Sequence, residues 1–159
     1  EMIKIKIFII LIAFIFFGAC GYKSIYNDKQ GGFIITEIKF EGDKTLNNIT
    51  SRRFQNYLLP NRDISKIDIK EFILNIESSS SRNILARDSA GKVSMFELTV
   101  NLEVKIFDKK ELLFEKSLSA KNLYNNESNK FALSQYEKII KKELLEKLID
   151  ELINYLSNI

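Results

Sequence analysis

The sequence predicts an α+β fold in which two helices pack on one face of a four-stranded mixed sheet, in the order β-α-β-β-β-α. Apolar and polar residues alternate from Phe96 to Ile106, which is the pattern of a half-buried strand. Apolar residues recur at steps of three and four from Tyr136 to Leu156, which predicts a long amphipathic helix. Placing both helices on one face of the sheet would bury the apolar side of every element.

A change in the spacing of the apolar residues after Phe40 predicts the first strand and the first helix. The stretch Phe33 to Phe40, "FIITEIKF", is typical of a short strand, and we expect Ile34, Ile38 and Phe40 on one face. The next apolar positions fall near helical spacing until Pro60, which we expect to stop the helix. These positions are Leu46, Ile49, Phe54, Tyr57 and Leu58.

Two further strands follow in the middle of the chain. We predict a long strand from Lys66 to Arg87, with an irregular or bulged segment at Ser78 to Ser81, and then a turn at 88–91. The alternation of the next strand fixes which of its residues face inward. These inward residues are Phe96, Leu98, Val100, Leu102, Val104 and Ile106.

The last strand and the last helix complete the predicted fold. After a turn at 108–111, a strand from Leu112 to about Tyr124 is expected to return antiparallel, with Phe114, Leu118 and Ala120 on its inner face. The final helix carries a wide apolar stripe, which we interpret as core: Tyr136, Ile139, Ile140, Leu144, Leu148, Leu152, Ile153 and Leu156. Its opposite side is charged: Lys138, Lys141, Lys142, Glu146 and Asp150.

The N-terminal segment has the layout of a lipoprotein signal. Lys4 and Lys6 precede an apolar run at 7–17, which is shorter than the roughly 20 residues needed to span a bilayer as a helix. Small residues then lead into Cys20, the only cysteine, as in a bacterial lipobox, although Phe17 stands where Leu is usual. We therefore predict a lipoprotein signal peptide at 1–19, a lipid anchor and tether at 20–32, and one domain at 33–159. The alternative is a chance thiol after an uncleaved anchor.

Composition excludes several classes of function. One cysteine and no histidine leave neither an internal disulfide nor the usual ligands of a structural zinc, and we predict no metal and no cofactor. A formal net charge of +3, from 24 basic and 21 acidic residues, is too small to favour a nucleic-acid-binding domain. No phosphate loop or paired-carboxylate motif is present, so we expect a binding protein and no enzyme. Residue types alone do not exclude a hydrolase with a Ser-Lys catalytic pair.

Three stretches resemble the LptE family, the lipopolysaccharide-assembly lipoproteins of Gram-negative bacteria, in its alphaproteobacterial form. They are the lipobox followed by Gly21-Tyr22, "RDSAGKVSMFELTVNLEVKIFD" from Arg87, and "SLSAKNLYNNESNKFALSQYEKIIKKELLEKLIDELINYL" from Ser117. The resemblance implies a lipoprotein on the periplasmic face of the outer membrane. It also implies that the domain plugs the LptD β-barrel, assists its assembly and binds lipopolysaccharide. The alternative is a generic periplasmic lipoprotein that scaffolds another envelope complex.

Lipopolysaccharide carries phosphates beside acyl chains, so its site requires basic residues near apolar surface. Our candidates are Arg87 and Lys92 at the turn before the third strand, and Lys121 and Lys130 around the end of the fourth. The family resemblance implies basic residues at this turn and at the start of the last helix, where Gln135 stands in this chain. The alternative is that all are solvated surface residues. The serine run is either a barrel contact or, as we favour, a plain bulge.

Overall fold

The computed structural model describes residues 32–58 and 70–159, so the predictions for Cys20, for Pro60 and for the signal peptide lie outside the described residues. The elements are β1 (Phe33–Gly42), α1 (Lys44–Phe54), a 3-10 helix (Gln55–Tyr57), β2 (Lys70–Arg87), β3 (Val93–Asp108), β4 (Glu111–Asn125) and α2 (Lys130–Asn158). The predicted order of strands and helices is confirmed.

The sheet has the strand order β1-β2-β3-β4, with β1 parallel to β2 and the other neighbours antiparallel. β1 pairs with β2 only from Lys70 to Ser78, whereas β3 pairs with β2 as far as Arg87. The second half of β2 therefore has a strand on one side only. As a result, the β2–β3 hairpin and the end of β4 project beyond β1.

The core lies between one face of the sheet and both helices. All six inward residues predicted for β3 are buried, and so are Leu118 and Ala120 of β4. Phe114 is partly exposed, and its ring packs edge-on against Tyr155 of α2. The two helices contact each other as well as the sheet. The prediction of two helices on one face is confirmed.

The buried side of α2 differs from the stripe predicted for it. Leu145 and Ile149 are fully buried although the stripe omitted them, whereas Tyr136 and Ile139 are 47% and 54% exposed. The core assignment of these two residues was wrong. The reason is that α2 contacts α1 as well as the sheet, which buries a second side of the helix and leaves part of the first turns uncovered.

A β-bulge in β1 corrects the predicted inner face of that strand. Ile35 pairs with Phe72 and Glu37 with Ile73, so Thr36 is an extra residue that faces no residue of β2 in the strand register. An extra residue reverses the alternation of side chains. Phe33 and Ile35 therefore share the core with the partly buried Ile38 and Phe40, whereas Ile34 is buried outside that cluster.

The serine run is a regular part of β2, and the predicted bulge at this place was wrong. Pairing with β3 is continuous from Ile73 to Ile84, and the register shifts only around Leu85. Ser78 is buried, and its hydroxyl donates to Asn47 Oδ1 at 2.7 Å. The run is ordered because small hydroxyl side chains fit the place where β1 ends against β2.

Gly42 makes this junction possible. Its φ is +88°, a conformation that L side chains rarely adopt, and a Cβ at this position would lie 2.0 Å from the Ser78 carbonyl oxygen. The same oxygen accepts a hydrogen bond from Asp43 N at 2.9 Å. The Asp43 side chain then caps α1 by accepting from Thr45 N and Leu46 N. The end of β1, the middle of β2 and the start of α1 thus form one packed unit.

Candidate functional site

The turn between β2 and β3 holds two of the predicted binding residues. The Asp88 carboxylate accepts hydrogen bonds from the backbone of Ala90 and Lys92, which fixes the shape of the turn. Arg87 Nη1 donates to the Gly91 carbonyl oxygen at 3.0 Å. The Lys92 side chain is exposed. The turn is thus rigid in its backbone and presents cationic side chains to solvent.

The loop between β4 and α2 brings Lys130 to the same end of the sheet. Asn126 N donates to the Ser94 carbonyl and Asn126 Nδ2 to the Val93 carbonyl, both at 2.8 Å. Lys130 Nζ donates to Asn126 Oδ1 at 3.1 Å. Asn129 caps α2 by accepting from two backbone N–H groups of its first turn. We call this region, formed by residues 82–95 and 123–141, the hairpin end.

Lys121 does not join the other three predicted residues. It lies on the open face of the sheet, away from the helices, and its ammonium is 3.2 Å from the Glu97 carboxylate on β3. The structure therefore brings Arg87, Lys92 and Lys130 to one end of the sheet and leaves Lys121 in an ion pair on its open face. The role of all four in ligand binding stays a prediction.

A network of hydrogen bonds and ring contacts on the helix-facing side of the sheet joins β2, β4 and α2. Glu137 Oε1 accepts from Arg82 Nη1 at 2.8 Å and from the Tyr124 hydroxyl at 2.7 Å. The Arg82 guanidinium lies over the Phe96 ring, 4.8 Å from its centroid. Phe96 in turn stacks on Tyr124, with centroids 5.6 Å apart. The network fixes the first turns of α2 against the sheet.

The charges of this network are mutually stabilised. Burial raises the pKa of the Tyr124 hydroxyl, and the hydrogen bond to Glu137 raises it further. Burial would raise the pKa of Glu137 as well, but the hydrogen bonds from Tyr124 and Arg82 together outweigh it, so the pKa is lowered. The hydrogen bond to Glu137 raises the pKa of Arg82. Glu137 is thus held as a carboxylate and Arg82 as a cation at neutral pH.

A groove beside this network carries two lysines, Lys138 and Lys141, that are not among the binding residues predicted from the sequence. Its volume is about 310 Å³, and Arg82, Lys138 and Lys141 line it together with hydroxyls of Ser80, Ser81 and Ser134. Glu137 is the one acidic residue in the lining. We had assigned Lys138 and Lys141 to the solvent side of α2. Their spacing of three residues, which puts both on one side of a helix, was the available signal.

Exposed apolar side chains concentrate at the same end. Nine large apolar residues of the described chain are substantially exposed, and six of them belong to the hairpin end: Ile84, Leu85, Leu123, Phe131, Tyr136 and Ile139. Tyr136 packs edge-on against Tyr124, so this apolar surface is continuous with the aromatic network. Ile84 and Leu85 are exposed because β1 and α1 end before they reach this part of β2. The hairpin end combines cations with apolar surface, as an anionic amphiphile requires.

Residues 32–58 and 70–159 contain no group of three or more acidic, histidine or cysteine side chains that could hold a metal ion. None of the helices they form is long and apolar enough to cross a membrane.

Comparisons with known proteins bear on both the fold and the family. The family model described as "LptE: Lipopolysaccharide-assembly" matches residues 37–156, which span β1 to α2. No sequence among the curated proteins matches the chain significantly. The fold is similar to rare lipoprotein B of Shewanella oneidensis, with a TM-score of 0.59 and 15% identity, covering 77% of this chain and 95% of that one.

Two further solved structures show the same fold. A minor lipoprotein of Acinetobacter baumannii aligns with a TM-score of 0.56 and 15% identity, covering 79% of this chain and 93% of that one. Lipoprotein B of Nitrosomonas europaea aligns with a TM-score of 0.53 and 16% identity, covering 81% of this chain and 87% of that one. The likeness extends over nearly the whole length of each of these proteins.

Proposed function

The chain belongs to the LptE lipopolysaccharide-assembly family, and on that premise we propose that it is an outer-membrane lipoprotein that binds lipopolysaccharide and plugs an LptD-type β-barrel. The observation that carries the proposal is the family match over residues 37–156, which runs from within β1 to within α2. The domain is anchored through acylated Cys20 and acts as a binding and assembly component.

The chemistry of the hairpin end supports lipopolysaccharide as its ligand. Phosphate groups on the saccharide would bind Arg87, Lys92 and Lys130, which are exposed at this end. The groove cations Lys138 and Lys141 extend this charged surface along α2. The exposed apolar residues beside them would contact the start of the acyl chains. Lys121 contributes less, because Glu97 already neutralises its charge.

Lipopolysaccharide binding is tested by removing two of these charges. Arg87→Gln with Lys92→Gln is expected to weaken binding by about tenfold or more, since each exposed charge-assisted hydrogen bond contributes on the order of 1 kcal/mol. Lys44→Gln with Lys147→Gln removes the same net charge from exposed helical positions and serves as the control. Binding is measured at low and at high salt, because screening reduces the phosphate contribution. Equal affinities of the two double variants would refute this site.

The anchor is tested by metabolic labelling. Cells that express the chain are given labelled palmitate, and the wild type is compared with Cys20→Ala. Uptake by the wild type alone supports acylation at Cys20, where two or three acyl chains give stable anchoring. Equal uptake by both, or none by either, would refute the lipobox interpretation.

The barrel partner is tested by capture from solubilised envelopes. The affinity-tagged lipidated chain is expected to bring down one large outer-membrane β-barrel, and the contact should survive mild detergent because a plug buries a large surface. The lumen of such a barrel is polar, which suits the small net charge of this chain. Capture of a folded chain without any barrel would leave a scaffold for another envelope complex as the better explanation.

A further inference from the structure

The turn between β3 and β4 has an unfavourable backbone conformation for its residues. Lys109 and Lys110 form a two-residue loop between the paired Asp108 and Glu111, and both have positive φ, 51° and 110°. Hairpin loops of this kind favour Asn-Gly, because other side chains are strained in the left-handed region. Neither lysine ammonium forms an ion pair or hydrogen bond with the described residues. Strain of this kind persists only where the surrounding structure holds it, and it clusters at functional sites.

An exposed apolar segment follows this turn directly. Leu112, Leu113 and Phe114 are all substantially exposed, and within residues 32–58 and 70–159 they are the three large exposed apolar residues outside the hairpin end. Leu113 is the extra residue of a β-bulge, since Phe107 pairs with Leu112 and Ile106 with Phe114. A bulge re-aims side chains, and this one leaves three consecutive large apolar residues in contact with solvent.

Cations and apolar residues meet in a cleft at this place. The cleft, of about 490 Å³, is lined by Lys109, Leu113 and Phe114 together with Lys70, Phe72, Ile159 and the acidic Glu71 and Asp108. The Lys70 ammonium donates to the Ile159 carbonyl oxygen and keeps its charge, so Lys70 and Lys109 are the two cations of the lining. We call this region, formed by residues 70–72 and 108–114, the tether end.

The chain enters the domain at the same end. Lys70 N donates to the Gly32 carbonyl oxygen at 3.2 Å, and β1 begins beside the start of β2. Gly32 follows Cys20 by twelve residues, which reach at most about 40 Å when fully extended. A lipid on Cys20 would therefore keep the start of β1 within about 40 Å of the membrane surface. This step rests on the anchoring proposed above.

We propose that the tether end rests on the lipid surface, with Lys109 and Lys110 against headgroup phosphates and Leu112 to Phe114 at the boundary with the acyl chains. Lysines near an anionic surface and large apolar side chains beside them are the usual components of such a contact. Glu71, Asp108 and Glu111 match the three lysines of this region in number, so it has no net charge and the contact is weak without the anchor. It orients the domain, with the hairpin end pointing away from this leaflet.

The turn itself offers a variant that separates binding from stability. Lys109→Asn with Lys110→Gly removes both charges and installs the favoured loop sequence, so the folded chain should gain resistance to urea. Binding to vesicles of equimolar phosphatidylglycerol and phosphatidylcholine should weaken by about fivefold for each lysine, roughly 25-fold in all, at low salt. The chain tested is the whole mature sequence with Cys20→Ser, exported with a cleavable signal. Lys44→Gln with Lys147→Gln is the charge-matched control and should bind as the parent does.

A fluorescent label on a single cysteine tests which end of β4 contacts the lipid surface. Leu112→Cys and Leu123→Cys lie on the same strand with nearly equal exposure of the parent residues, 50% and 52%, but at opposite ends of the sheet. The label at 112 should shift to a less polar environment on anionic vesicles and return at high salt, and this shift should exceed that of the label at 123. Equal binding losses in the two double variants, or a response at 123 instead of 112, would overturn the proposal.

The outcome is independent of lipopolysaccharide binding and of the barrel. Loss of vesicle binding in the turn variant, with barrel capture absent, would support the membrane contact and refute the proposed function. Barrel capture, together with vesicle binding that the turn variant does not change, would support the proposed function and refute the membrane contact. A label at 112 that is shielded by the purified barrel without lipid would assign the tether end to a protein contact and overturn the membrane proposal.

Discussion

Gly42→Ala tests whether the junction between β1, β2 and α1 is as tight as its geometry indicates. An alanine Cβ would lie 2.0 Å from the Ser78 carbonyl oxygen, a backbone atom that cannot rotate away. The positive φ of this residue adds about 1–2 kcal/mol for any L side chain. Relief of the clash requires the strands to separate, which breaks the hydrogen bond from Asp43 N to Ser78 and displaces the cap of α1.

The expected cost follows from these three contributions. The conformation costs about 1–2 kcal/mol, the backbone hydrogen bond about 1 kcal/mol and a weakened cap about 1 kcal/mol. We therefore expect Gly42→Ala to lower the free energy of unfolding by about 3–4 kcal/mol. Such a loss is a large fraction of the stability of a domain of this size.

Gly91→Ala is the matched control. Gly91 has a similar φ of +76°, but a Cβ there would meet no atom within 4 Å. Its cost should be only the conformational one, about 1–2 kcal/mol. Urea unfolding of both variants, followed by circular dichroism, measures the difference between their free energies of unfolding. Effects of alanine on the unfolded chain cancel in this difference. Equal losses, or a loss below about 1 kcal/mol at position 42, would show that the junction yields easily and refute the reasoning.

Three further predictions concern stability. Asp43→Ala should cost about 1 kcal/mol through loss of the α1 cap, and Asp43→Asn much less, in the same urea assay. Ser78→Ala should cost about 1 kcal/mol, because the partly buried Asn47 Oδ1 loses its donor; no loss would mean that the hydroxyl is dispensable. Because the folded-state pKa of Glu137 is lowered, its contribution is present above the pKa of the unfolded carboxyl, near 4.3, and is lost as the pH falls through the folded value. Unfolding free energies from neutral to acidic pH should therefore fall more steeply in the wild type than in Glu137→Gln, and parallel curves would contradict the coupling.

The sequence by itself determined the elements whose patterns are local. The alternation in β3 depends only on the two-residue repeat of a strand, and all six residues it assigned to the core are buried. The helical period likewise predicted a long helix and most of the buried side of α2, although the helix begins earlier than Tyr136, at Lys130. Family membership was also visible in the chain, because the turn, the hairpin and the last helix carry recognisable residues. The predictions for Cys20 and its signal come from the sequence alone and remain predictions.

Only the tertiary structure decided which neighbours each element meets. The bulge at Thr36 reverses the face of β1, and nothing in the local alternation marks the extra residue. The serine run looked irregular because serine favours turns, yet pairing with β3 and the close approach of Gly42 hold it as a strand.

The candidate sites also depend on which distant elements the tertiary structure places side by side. Lys138 and Lys141 resemble any solvated face of a helix until β2 is placed beside them and a groove forms. Lys121 resembles a free cation until β3 brings Glu97 within 3.2 Å. The charge available at a site depends on residues far apart in the chain, and a single sequence specifies residue types and their spacing but not which distant side chains pair.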